Sequence, residues 1–277
     1  MDYEQFFHLA EDPFANVPNN RFFYDYPQHA RALARLMHAI GRMRGLILMV
    51  GDVGTGKTMM SRHLLDRLRE DGTYETALII LTHADFTSLW LLRKIAGLLG
   101  VEAVGEEKAQ VVSQICERLM QLYSEGRKAL IIIDEANMLR NREVLEDLRG
   151  LLNVEVGDAR LISFLLTGLP EMEKNLGTDA ALKQRVALRC AIEPMSPETV
   201  KGYIKHRLRI AGRAEDLFTE SALDAVAHCS GGSPRLTNAI CDNALLEGFL
   251  AEKPLIDQTL VQEVVRSLGL EEAKGSS

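Results

Sequence analysis

Cysteine is scarce and unpatterned in this chain. The four present among 277 residues, Cys116, Cys190, Cys229 and Cys241, show no CxxC spacing. Neither a zinc site nor a disulfide framework is suggested, and the thiols read as buried groups of a reducing compartment. Long apolar runs are missing too: stretches such as "ALIII" and "LISFLL" have the length of strands, far short of the roughly 20 residues that a membrane helix needs. The opening "MDYEQFFHLAEDPF" lacks the basic start and apolar stretch of a signal peptide. Positive charge is not in excess either, with 32 Lys and Arg against 39 Asp and Glu and a net charge of −7. That balance argues against indiscriminate coating of nucleic acid and leaves only a local basic patch open. Internal repeats and low-complexity blocks are absent. The expectation is a soluble, cytoplasmic protein.

What is present suffices for a real core: 47% of residues are hydrophobic and 26% charged, as in one large domain with a smaller appendage. Residues 1–27 are aromatic and turn-rich, with Phe6, Phe7, Phe14, Phe22, Phe23, Tyr24 and Tyr26 broken by Pro13, Pro18 and Pro27, an irregular arm. A helical pattern follows from Gln28 to Arg44, with Arg31, Arg35 and Arg42 interspersed among apolar positions. Strand-like runs at 46–50, 77–82, 129–133, 160–167 and 187–192 then alternate with helical stretches. Short apolar runs separated by helices predict an α/β domain over 28–195, built on a five-stranded parallel sheet covered by helices. Beyond "EPMSP" the strand signal stops. Helices are predicted near 197–211, 219–229, 234–250 and 258–267, with Thr219 and Ser233 as N-caps and Pro234 at a first helical position. This is a small all-helical domain over 196–268, followed by a frayed tail at 269–277.

The chemistry lies in "GDVGTGKT", 51–58, between a predicted strand and a predicted helix. Gly51, Gly56, Lys57 and Thr58 satisfy G-x-x-x-x-G-K-[ST] in the context that gives this motif its meaning. Glycines let the loop curl so that backbone N–H groups face phosphate oxygens, and the helix N-terminus adds partial positive charge. Gly51, Asp52, Val53, Gly54, Thr55, Gly56, Lys57, Thr58 and Met59 are therefore the expected nucleotide-binding residues. Lys57 would reach the β and γ phosphates, and Thr58 would bind Mg²⁺. The apolar strand "LIIID" ends in Asp134 followed by Glu135, which puts two carboxylates at the sheet edge where ligands of open α/β folds bind. Asp134 would hold the metal and Glu135 would polarise the attacking water. The cofactors expected are ATP or ADP and Mg²⁺. ATP is preferred to GTP because no Asn-Lys-x-Asp segment is present. A strand–helix unit and a second helix separate the two motifs, so the carboxylate strand should neighbour another strand instead of following the phosphate loop directly.

With these motifs stand "FFHLAEDPF…PNNRFFY", "IIIDEANML", "LLTGLPEM", "LKQRVALRCAIEPMSPETVKGYIKHRL" and "LFTESALDAVAHCSGGSPRLTNAICDNALL". Together they resemble the ExeA/general secretion pathway protein A family of P-loop AAA+ ATPases, which includes ATPases of mannose-sensitive pilus biogenesis and has the TniB and TnsC transposition ATPases as relatives. The resemblance implies roles for further residues. Thr167 matches the γ-phosphate sensor at the end of its strand, and Arg235 in "GSPR" matches the second sensor on the lid. Arg185 matches the arginine finger offered to a neighbouring subunit, with Arg189 as the alternative. Two departures stand out. Secretion-type members often continue into a membrane helix and a periplasmic peptidoglycan-binding domain, whereas this sequence ends at the lid. It is either part of a longer chain or one of a shorter, wholly cytoplasmic subset. The family commonly reads "DEAQ", and here Asn137 stands in the last place.

The implied function is an ATP-hydrolysing protein that self-associates into a homo-oligomer and drives or regulates assembly of a secretion- or pilus-type envelope machine. Its turnover would be slow until oligomerisation or a partner stimulates it. Attachment to the inner membrane would then be peripheral, through a partner. Two alternatives stay open. One is a DNA-associated regulator of transposition type, whose sequence support is "KGYIKHRLRIAGR", with Lys201, Lys205, His206, Arg207, Arg209 and Arg213. The other is a slow, nucleotide-switched scaffold. Adenine is expected near Phe14 and the helical domain.

Overall fold

The structure is a computed structural model that describes residues 2–17 and 19–270. Most of the predicted tail at 269–277 lies outside those residues, as does Pro18. The chain divides into two compact units. One comprises residues 27–52 and 60–192; the other comprises the segment ending at Tyr26, residues 53–59 and the chain from Glu193 onward.

The first unit is organised by strands β1 (Leu46–Gly51), β2 (Tyr74–Ile80), β3 (Lys128–Asp134), the short hairpin pair β4 (Glu155–Val156) and β5 (Ala159–Arg160), β6 (Ile162–Gly168) and β7 (Val186–Ile192). Five of them form one parallel sheet in the order β2-β3-β6-β1-β7. The inner strands β1 and β6 are buried along their whole length, as continuous Leu, Ile and Phe runs must be when helices cover both faces. Edge strand β7 instead alternates, with Cys190 and Ile192 inward and Arg189 outward. β6 lies between the phosphate-loop strand β1 and the carboxylate strand β3, the additional strand that the spacing predicted. Helices Ser88–Leu98, Lys108–Ser124 and Arg142–Leu151 pack their apolar faces, such as Ile95, Ile115 and Leu148, into the same core as the sheet.

The helix expected from Gln28 to Arg44 ends earlier than that pattern. It spans Pro27–Gly41 and buries His29, Ala32, Leu33, Leu36, Ala39 and Ile40, leaving Ala30 and Ala34 exposed with Arg31 and Arg35.

The second unit is all-helical: Pro197–Ile210, Glu220–Ser230, Pro234–Leu250 and Gln258–Ser267. Its caps are the predicted ones. Thr219 Oγ1 accepts from Ala222 N at 3.2 Å, and Ser233 Oγ accepts from Leu236 N at 3.4 Å. These bonds satisfy amides that a helix start leaves unpaired. The aromatic N-terminal segment fills this unit's core, with Phe7, Phe14, Phe22 and Tyr26 buried among Leu208, Ile240 and their neighbours. A polar chain fastens the two. Asn16 accepts from Asn238, Asn238 accepts from the Tyr203 hydroxyl, and that hydroxyl accepts from Arg207.

Candidate functional site

β1 ends at Gly51, beside the end of β6: Met49 is opposite Thr167 and Val50 opposite Gly168. From there the chain curls through the loop and enters helix Lys57–Asp71. Gly54 (φ +77°) and Gly56 (φ +96°) hold backbone conformations that strain any L side chain. Thr55 and Lys57 are buried polar residues, Lys57 at only 7% exposure. No acidic residue stands in the helix's first turn to neutralise its positive end.

The loop has a neighbour, Ser233, that sequence reading gave only as a helix cap. Ser233 Oγ donates to Gly54 O at 3.3 Å, and the Arg235 amide approaches the same carbonyl at 3.5 Å. A Cβ on Gly54 would stand 2.6 Å from Ser233 Oγ. "GGSPR" therefore places both its N-cap serine and Arg235, whose side chain is exposed, against the loop.

Asp134 closes β3 and is 1% exposed. Its Oδ1 accepts a close hydrogen bond from the fully buried Thr167 hydroxyl on β6, and another from Glu135 N at 3.0 Å. Two adjacent strand ends thus hold one carboxylate in one orientation. Glu135 is half-buried and left-handed (φ +55°, ψ +37°), a conformation costing a non-glycine residue about 1–2 kcal/mol. Such strain collects at functional positions, where surrounding structure enforces it. Asn137 supplies part of that enforcement. It is buried, its Oδ1 accepts from Leu169 N at 3.3 Å, and its carbonyl accepts from Asn175 Nδ2 at 2.9 Å. A Cβ on Gly168 would stand 2.9 Å from that Oδ1, so glycine is the residue that fits after Thr167.

The two finger candidates differ in their surroundings. Arg189, on edge strand β7, is bonded within the chain to Glu173 at 2.7 Å. Arg185 follows the short helix Ala180–Lys183 just before β7, and no ion pair within the described residues engages it.

The basic run 201–213 is largely spent. Lys201 pairs with Glu220 and Asp224 at 2.7 and 2.6 Å, Lys205 approaches Asp216 and Glu220, and Arg213 pairs with Glu215. Its hydrogen bond to Asp224 holds the Lys201 ammonium well above the ordinary lysine value. Arg207 is 5% exposed and donates to Pro13 O, Ala15 O and the Tyr203 hydroxyl, with its guanidinium 4.7 Å over the Phe22 ring. It is a structural clamp. Phe14 is equally committed, at 1% exposure and edge-on to Phe218. Its ring is part of the helical unit's aromatic core.

Among the described residues no group of three His, Cys, Asp or Glu is arranged to hold a metal, and no helix is long and apolar enough to cross a membrane. Mg²⁺ is bound through one or two protein oxygens plus substrate phosphates and not by a protein cage. Buried Asp134 and the Thr58 hydroxyl are donors of that kind.

Comparison with known proteins agrees with this geometry. Residues 40–176 match a family described as an AAA domain. The chain is 34% identical over 250 residues to General secretion pathway protein A of Aeromonas hydrophila, covering 89% of this chain and 45% of that protein. It thus spans about half the length of that relative. Among solved structures, Cdc6p from Pyrobaculum aerophilum is similar with a TM-score of 0.73 at 18% identity, covering 91% of this chain and 71% of that one. Drosophila ORC bound to DNA is similar with a TM-score of 0.72 at 17% identity, covering 97% of this chain and 66% of that one. At such identities these structures show a shared fold.

Proposed function

This chain is an AAA+ ATPase relative, similar to general secretion pathway protein A and carrying an AAA domain over residues 40–176, and we propose from that premise that it binds and hydrolyses ATP as a self-associating assembly factor. The observation that carries the reading is the carboxylate edge: Asp134 fixed by Thr167 and by Glu135 N, at strand ends beside the end of β1.

The loop amides and Lys57 bind the β and γ phosphates; Thr58 and Asp134 would hold Mg²⁺, which would supply positive charge against the phosphate oxygens. Glu135 orients a water toward the γ-phosphorus and accepts its proton as the new P–O bond forms and the bond to the bridging oxygen of ADP breaks. Thr167 keeps Asp134 in place, and Arg235 reaches the nucleotide from the helix that begins against Gly54. Arg185, which has no ion pair among the described residues, is the finger supplied to a neighbouring copy. The secretion name of the Aeromonas relative supports an envelope machine as the client.

The test is specific ATPase rate against protein concentration for wild type, Glu135→Gln, Arg185→Ala and Arg189→Ala. A rate that rises with concentration, collapses in the first two variants and survives in Arg189→Ala is expected. Loss of an arginine finger typically lowers the rate by about 10³–10⁵. A concentration-independent rate indifferent to Arg185 would sink the shared-site reading and leave a monomeric switch.

A further inference from the structure

The cations that the 201–213 run ties up have a counterpart in the sheet unit that no acid pairs with among the described residues. Arg31, Arg35, His38 and Arg42 recur at steps of four, three and four residues, so they share one face of helix Pro27–Gly41 and its C-terminal extension. All four are exposed, as is Arg44. The stripe runs about 16 Å at 1.5 Å per residue. Residues 27–45 contain no Asp or Glu, in a chain whose net charge is −7. Like charges four apart destabilise a helix, and no acid within the helix relieves Arg31 and Arg35. Among the described residues no carboxylate pairs with Arg31, Arg35, Arg42 or Arg44; the Arg35 guanidinium donates to Arg189 O.

A helix C-terminus attracts cations, which is the ordinary reason for arginines there. Here that need is met by others. Lys128 Nζ donates to Gly41 O at 3.0 Å, and Arg160 Nη1 donates to Arg44 O at 2.9 Å. Arg42 and Arg44 are left to face outward from a tight turn in which Met43 (φ +48°) and Gly45 (φ +88°) are both left-handed. Arg44 borders two adjoining hollows. One, of about 820 Å³, is also lined by Arg42, Lys128, Arg160 and the half-exposed Tyr123; the other, of about 610 Å³, by Arg31, Arg35 and His38. The carboxylates on the first are Glu155, already paired with Arg160 at 3.2 Å, and Asp158. This trough lies at the strand starts of β1, β3 and β6, the sheet edge opposite Asp134 and Thr167.

We propose that this arginine trough, centred on Arg42 and Arg44, binds the phosphodiester backbone of duplex nucleic acid without reading sequence. Guanidinium forks match phosphate oxygens two at a time. Two hollows that share Arg44, beside a stripe of cations about 16 Å long, suit a continuous polyanion better than one isolated anion. A lipid surface fits less well, because surface-bound helices carry Trp, Phe or Leu to insert, and the exposed small residues beside these arginines are Ala30 and Ala34.

The experiment is anisotropy of a labelled mixed-sequence DNA duplex, without nucleotide, titrated with the full chain from about 50 to 200 mM salt. The variants are Arg42→Ala/Arg44→Ala, Arg31→Ala/Arg35→Ala and Arg209→Ala, each checked for native circular dichroism. Wild type should bind with a steep salt slope. Each double variant should bind at least tenfold more weakly at low salt, with a log–log slope smaller by about 1.8, the share of two phosphate contacts. Arg209→Ala should match wild type. The proposal is overturned if wild type shows no salt-dependent binding, or if the double variants bind like wild type. It is equally overturned if only vesicles of phosphatidylglycerol and phosphatidylcholine are retained.

Discussion

Replacing Arg207 by Met tests whether the basic lid segment is a surface for partners or an internal fastener. Methionine keeps the aliphatic volume and removes the charge and its donors. Three hydrogen bonds disappear, to Pro13 O, Ala15 O and the Tyr203 hydroxyl, along with the contact of the guanidinium with Phe22 at 4.7 Å. An acceptor left unsatisfied in the interior costs about 1–3 kcal/mol, so the two carbonyls alone imply about 2–6 kcal/mol. Relief of the buried charge offsets part of this, because a buried cation is itself costly to desolvate. With the lost Tyr203 and Phe22 contacts set against that relief, a net loss of about 2–5 kcal/mol is expected, borne by the helical unit and by the docking of residues 13–15 on it. Urea unfolding followed by circular dichroism measures the loss, and limited proteolysis should show cleavage before Arg21 rising in parallel. A variant within about 1 kcal/mol of wild type would refute the clamp. Weakened DNA retention at full stability would return Arg207 to the surface role that its sequence neighbourhood suggested.

Further outcomes follow from the same contacts. Gly54→Ala should destabilise by about 1–2 kcal/mol through its left-handed φ alone and further through Ser233 Oγ at 2.6 Å; the double variant with Ser233→Ala should recover only the steric part in a thermal-shift cycle. Asn137→Ala strips the Leu169 amide of its acceptor, so hydrogen exchange at Leu169 should quicken, and stability should fall by about 1–3 kcal/mol. Burial, then the nearby Arg209 and Arg207 charges, hold the His206 imidazole below its ordinary value of 6.5, against an opposing bond with the Phe23 backbone. Between the folded value and 6.5 the unfolded chain binds more protons, so His206 makes stability rise with pH across that window. It should be lost as pH falls below about 6.5, and urea midpoints at pH 5.5 and 7.5 should differ less in His206→Gln.

Much of this protein could be read from the order of its residues, for a physical reason: the signals concerned are local. Apolar runs of strand length, an N-cap serine before Pro234, and a glycine loop joined directly to a strand and a helix each depend on neighbours within a few positions. They sufficed for five parallel strands, four lid helices and the candidate residues Lys57, Thr58, Asp134 and Glu135. Thr167 and Arg235 came from resemblance, and their contacts with Asp134 and Gly54 appeared only in three dimensions. Charge was the property that sequence could not locate. Lys201, Lys205 and Arg207 form the denser basic run, yet acids from the next helix and carbonyls from residues 13 and 15 neutralise or bury them. Arg31, Arg35, Arg42 and Arg44 are sparser in sequence, but the 3.6-residue turn aligns the first three and the tight turn after the helix adds Arg44, while Lys128 and Arg160, distant in the chain, take the carbonyls that would have occupied them. Whether a cation is spent or available depends on partners far away in sequence, and only the tertiary structure brings those partners together.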